Sequence, residues 1–162
     1  MLATSTNMIF TSVIKSSPVI LARRIDRAYI VSCTSSRPSD FKVAAKVSND
    51  AASANPSVKP KVADGVSLCI EAASAREQAV AEAAGDWQTL LDAGAQPLPS
   101  GCGPCAGLLE PGEVGISSSN RNSPGSMGAR TAQAYLASAE VVAASALRGT
   151  IFRPDGFKEP AD

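Results

Sequence analysis

Short β-branched runs alternating with alanine-rich stretches, each bounded by helix start and stop signals, constrain this chain more than any other feature. Ala28 to Ser32 (Ala-Tyr-Ile-Val-Ser) reads as a buried strand that empties into the loop Cys33-Thr34-Ser35-Ser36-Arg37. Pro38 and Asp40 then suit the first turn of a helix running to about Ala54, with Phe41, Ala44, Ala45 and Val47 as its apolar stripe. After the Pro- and Lys-containing connection Asn55 to Lys61, Val66 to Ala72 reads as a second strand. Ala75 to Ala84 follows as a helix, with Glu77 near its positive end. Gly85 breaks that helix, Asp86 is placed to cap a short one from Trp87 to Ala93, and Gly94 closes it. Strand, helix, strand, helix, helix predicts an α/β fold: a three-layer α/β/α unit with a mostly parallel sheet, whose sites gather at the carboxyl ends of strands.

From Gln96 to Ala129 the composition turns to Gly, Pro, Ser and Asn, and no period is visible. A stretch that long in a compact domain usually carries a site. Beyond it, Ser138 is placed to cap a helix from Ala139 to about Leu147, ended by Gly149, and Phe152 to Asp162 reads as a polar tail. At the other end, residues 1–25 hold Lys15, Arg23, Arg24 and many hydroxyls but no acid, the composition of a mitochondrial transit peptide. The domain proper is thus expected over 26–151.

With aromatic residues at 4%, the core of these 162 residues has to be built from small aliphatics. Fifteen basic and fifteen acidic residues cancel, which speaks against nucleic acid or an anionic membrane as partner, and no run reaches the length of a membrane helix. Four cysteines with one close pair argue against a disulfide scaffold. The chain has no histidine, so it supplies no imidazole base, no His-based triad and no His-Glu-x-x-His zinc site.

Within the long loop, Pro-Ser-Gly-Cys-Gly-Pro-Cys-Ala-Gly (99–107) puts Cys102 and Cys105 on one Gly/Pro turn. Together with Cys33 at a strand end they make three thiolates, enough to hold an iron–sulfur cluster by three corners and leave one iron open to substrate. A thiol–disulfide pair is a concrete alternative, since Cys-Gly-Pro-Cys is also the thioredoxin motif, although Glu110-Pro111-Gly112 leaves no room for the long helix that motif opens. A zinc site with Cys69 as fourth ligand is a weaker one, because Cys69 lies in an apolar strand pattern that suits a packed core thiol. Asn120-Arg121-Asn122 places a guanidinium between two amides, a good grip for a carboxylate. Ser117 to Ser119, taken alone, reads as a solvated linker.

Ser-Cys-Thr-Ser-Ser-Arg (32–37), Gly-Cys-Gly-Pro-Cys (101–105) and Ser-Asn-Arg-Asn (119–122), in this order, resemble the cluster and active-site loops of the aconitase superfamily. Asp86 to Ala95, Leu109 to Ile116 and the segment Tyr135 to Ala146 narrow the resemblance to its homoaconitase branch. It implies a [4Fe-4S] cluster on Cys33, Cys102 and Cys105, with Asn120 and Arg121 at the carboxylates of a small tricarboxylate substrate. The implied reaction is the hydro-lyase interconversion of homocitrate, homoaconitate and homoisocitrate, in the mitochondrial matrix. The chain departs from the family pattern at Ser35, where the family has Asn, at Ser123, where it has a bulky aromatic, and at Ser126, where it has a second arginine. The loop after Cys105 is also shorter. The family's acid–base histidines and catalytic serine lie in domains that have no counterpart in this sequence, so the resemblance implies a fragment that is inactive alone.

Overall fold

The computed structural model describes residues 22–101, 109–120, 123 and 125–154. Five parallel strands form one sheet in the order β3-β2-β1-β4-β5: β1 Arg27–Ile30, β2 Ser67–Ile70, β3 Gln96–Pro97, β4 Val114–Ser117 and β5 Gln133–Leu136. Among the described residues four helices accompany it: α1 Pro38–Ala54, α2 Ala75–Ala83, α3 Asp86–Asp92 and α4 Ala139–Arg148. The expected α/β unit with its parallel sheet is what the chain adopts.

Local chemistry sets the helix ends. Pro38 opens α1, where the Asp40 carboxylate accepts the Arg37 amide at 3.0 Å. Ser74 caps α2 by accepting the Glu77 amide at 3.3 Å. At α3 the expected cap is displaced by one residue: Gly85, at φ +81°, holds the N-cap position and Asp86 lies in the first turn. Ser138 occupies the N-cap position of α4 without a side-chain capping bond, and Gly149 closes that helix at φ +80°. The tail begins tied down. The Phe152 amide donates to Ser145 Oγ at 3.0 Å, and Arg148 lies 5.2 Å from the centre of the Phe152 ring.

Strand alternation sorts the core into two clusters. Ala28 and Ile30 of β1, with Leu68, Ile70 and Ile116, meet Phe41, Ala44, Trp87, Leu90 and Val142 of the helices. Phe41 and Trp87 pack edge to face, with ring centroids 5.0 Å apart. Tyr29, Val31 and Cys69 point the other way, onto Leu109 and Met127. Among the described residues, therefore, helices cover one face and loop segments the other. Right-handed crossover explains the division. The connections β1-α1-β2 and β2-α2-α3-β3 step toward one edge, whereas β3-to-β4 and β4-to-β5 step toward the opposite edge and so run over the opposite face.

The long stretch from Gln96 to Ala129 thus hides two strands, β3 and β4. Gly115 in β4 is needed for packing, because a Cβ there would meet Leu109 Cδ2 at 2.7 Å. Gly128, at φ +139°, lies beside Leu109 so closely that a Cβ would strike the Leu109 backbone.

Candidate functional site

In the order β3-β2-β1-β4-β5 the chain leaves β1 and β4 in opposite directions, so the crevice of this sheet lies between their carboxyl ends. Cys33 follows β1 and is exposed. Asn120 follows β4 and is also exposed. Two of the residues singled out in the sequence therefore flank the crevice from neighbouring strands. Cys102, Cys105 and Arg121 lie outside the described residues, and the bonds of Gly101 and Leu109 bound the stretch that holds the two cysteines. Gly101 donates its amide to Ala72 O at 3.1 Å, just beyond β2, and Leu109 is held between Met127 and Ala129 by two backbone bonds of 2.8 Å. Gly101 thus stands at the same edge of the sheet, one strand from Cys33.

The loop that presents Cys33 is held by hydroxyls. Ser32 is buried with φ +136°, a conformation that costs a non-glycine residue on the order of 1–3 kcal/mol. Its Oγ accepts the Thr34 amide at 3.1 Å and lies 2.9 Å from Thr34 Oγ1, a turn closed around Cys33. From the other side, Ser118 Oγ accepts the Val31 amide and lies within donating distance of Val31 O and Ser35 O, each at 3.3 Å. The solvated linker expected at Ser117 to Ser119 is instead buried, at 5%, 5% and 1% exposure. Pairing of β4 with β1 draws these hydroxyls inside, where Ser117 Oγ accepts the Ser119 amide at 3.0 Å and Ser118 Oγ meets the Cys33 loop.

Ser126 is the position at which the resemblance leads one to expect an arginine. Its Oγ donates to Ser123 O at 2.6 Å, and its amide to the same oxygen at 2.9 Å, so the side chain closes a turn and does not reach outward. Cys69 is a packed thiol in β2, 3.9 Å from Ser67 Oγ, and burial pushes its pKa up. That environment disfavours the thiolate a metal ligand requires.

Reasoning from sequence missed one buried acid. Glu71, just past β2, is fully buried, donates its amide to Ile30 O at 3.0 Å, and among the described residues has no hydrogen-bond partner for either carboxyl oxygen. Desolvation raises its pKa from 4.5 to about 7. By strand alternation its side chain lies on the loop-covered face, the side of Cys69 and opposite Ile70. A single Glu closing an apolar strand pattern carries no signal of this in the sequence.

The sequence pattern of the Aconitase family (aconitate hydratase) matches residues 8–149. Among curated proteins, the chain is 62% identical over 141 residues to "Homoaconitase, mitochondrial" of Neurospora crassa, covering 85% of this chain and 18% of that relative. It is 60% identical over 141 residues to the protein of that name in Aspergillus niger, again covering 85% of this chain and 18% of the relative. To the Cryptococcus neoformans var. neoformans protein it is 57% identical over 137 residues, covering 82% and 18%. The chain thus spans about a fifth of the length of these relatives, and Cys33, Cys102, Cys105, Asn120 and Arg121 fall inside the matched region. On that match, which takes in nearly the whole chain, the protein belongs to the aconitase family.

Proposed function

We propose that this chain is the cluster-bearing unit of a homoaconitase-type hydro-lyase, in which Cys33, Cys102 and Cys105 hold a [4Fe-4S] cluster and Asn120 and Arg121 grip a carboxylate of the substrate. The observation that supports this reading is the exposed Cys33 thiol on a braced loop at the crevice, with Asn120 just past the neighbouring strand and Gly101 at the same edge. The donor set fits the group: thiolates are the ordinary ligands of iron–sulfur clusters, and Cys33 is held outward on a fixed turn. When bound, the cluster supplies an open iron that acts as a Lewis acid on a hydroxyl.

The substrate class is a small hydroxy-tricarboxylate, interconverted as homocitrate, homoaconitate and homoisocitrate. The relatives' names support a mitochondrial location for this chemistry, and on this reading the acid-free segment 1–25 serves as a transit peptide and 26–151 as the domain. The chain holds no histidine and so supplies no imidazole for proton transfer, and on this reading it is inactive alone. With Ser126 in place of an arginine, its hold on the substrate is weaker by one charged hydrogen bond, on the order of 1.5–3 kcal/mol.

Anaerobic reconstitution of the full chain with iron and sulfide tests the reading, with iron and sulfide counts and optical spectra taken beside a Cys33→Ser control. Cubane uptake by the wild type and not by the control is the expected result. Equal behaviour of the two would overturn the reading and favour a dithiol of Cys102 and Cys105 acting alone.

A further inference from the structure

Ser118 is buried at 5% exposure, and its hydroxyl touches three backbone groups of a segment 83 to 87 residues away in sequence. It accepts from Val31 N and reaches Val31 O and Ser35 O, two residues either side of Cys33. A hydroxyl has one proton and two lone pairs, so it can satisfy the amide while donating to one carbonyl at a time. The same residue donates its own amide to Tyr29 O at 3.0 Å, which continues the β1–β4 ladder. Ser118 therefore prolongs the pairing of the two strands past their last regular bonds, up to where Cys33 and Asn120 emerge. We propose that Ser118 is a positioning residue that clamps the Cys33 loop to the end of β4, fixing the spacing between the thiol ligand and the carboxylate-gripping segment that begins at Asn120. This rests on the cluster reading for Cys33, but the clamp itself stands on hydrogen bonds that exist without the cluster.

Ser32 makes the clamp effective. Its strained backbone and its bonds to Thr34 stiffen the turn from within, so a hold at Val31 and Ser35 fixes the whole loop. Without Ser118 the turn would keep its internal shape and lose its registration against β4.

The test compares wild type, Ser118→Ala and Ser118→Thr in the full chain. In the metal-free protein, amide exchange at Val31 in Ser118→Ala should quicken about tenfold, the worth of one lost hydrogen bond, while exchange in α1 and α4 stays put and Ser118→Thr stays near wild type. In the reconstituted protein, Ser118→Ala should lose iron to a chelator several-fold faster and show an altered cluster spectrum, and Ser118→Thr should restore both. A uniform rise in exchange across α1, α4 and β1 would mean general destabilisation and overturn the proposal, as would cluster loss and spectra equal to wild type. Should Ser118→Ala not fold, Ser118→Cys, of similar size with a weaker donor, takes its place with the same expected directions. If wild type takes up no cluster, the proposed function fails. The exchange measurement then decides the clamp on its own, and an unchanged Val31 amide refutes it.

Discussion

Glu71 offers a stability measurement with a definite sign. Its carboxyl is fully buried with both oxygens unpartnered among the described residues, and desolvation lifts its pKa from 4.5 to about 7. Between those values the folded chain retains a proton that the unfolded chain has released, so the folded state binds more protons throughout the window. The contribution is therefore fully present below 4.5, falls as pH rises, and is lost above about 7. At about 1.36 kcal/mol for each pH unit, the gap corresponds to about 3 kcal/mol, a large share of the 5–15 kcal/mol that roughly bounds a domain's stability. Glu71→Gln removes the ionisation and keeps a buried polar group, whereas Glu71→Met removes both. Urea unfolding at pH 4 and pH 8 can be followed by the fluorescence of Trp87, the chain's single tryptophan, which is 3% exposed. Relative to wild type, both variants should gain about 3 kcal/mol more at pH 8 than at pH 4. Glu71→Met should be the more stable of the two at both pH values, because no amide is left buried without a partner. A difference from wild type that is the same at both pH values would refute the reasoning, since it would mean that the folded carboxyl ionises as it does in the unfolded chain.

Two further predictions concern packing and capping. Gly128→Ala should cost more than about 3 kcal/mol, because the new Cβ meets the Leu109 backbone at a φ that L-residues avoid. Gly115→Ala meets only the end of the Leu109 side chain and should cost about 1–2 kcal/mol; denaturant midpoints rank the two, and equal costs would contradict the placement of Leu109. Ser74→Ala should lower stability by about 1 kcal/mol through the lost cap of α2, read from the same curves, and a neutral result would mean that water replaces the hydroxyl.

The helical half of the fold was legible because its signals are local. Pro38, Asp40, Gly85, Ser138 and Gly149 punctuate the chain, and the stripe Phe41, Ala44, Ala45, Val47 has the helical period, so α1, α2 and α4 fall within a residue of where the pattern puts them. The other half was not legible. Val-Gly-Ile-Ser in β4 is a short run holding a glycine, and Gln-Ala-Tyr-Leu in β5 sits in an alanine-rich context; each becomes a strand only by pairing with a distant neighbour. The same non-local pairing turns Ser117 to Ser119 from an apparent linker into buried structure. Cys33 and Asn120 could be named from their motifs, but that they flank one crevice follows from strand order, and order is fixed by connections that no local pattern reports. The hydroxyls that hold the Cys33 loop are silent for a similar reason, since serine is ordinary in loops and only β1 beside β4 gives Ser118 its three partners.

Strand β1 carries the consequence of this architecture. Ala28 and Ile30 bury themselves against the helices, Tyr29 and Val31 against the loop-covered face, and the next turn presents Cys33. A change on the helical side of β1 thus reaches the site through a single residue step, while a change in the loops reaches it through Leu109 and Met127 packed on Tyr29 and Val31. The two faces differ in what they tolerate. The helical face is a continuous apolar cluster of side chains that can repack around a lost methylene, whereas the loop face depends on glycines at 115 and 128 that admit no Cβ without displacing Leu109. Substitutions on the loop face should therefore disturb the thiol loop before they unfold the domain, and substitutions on the helical face should do the reverse. That ordering follows from the strand order and the handedness of its connections, which, among the described residues, put Leu109 and Met127 on one side of the sheet and the helices on the other.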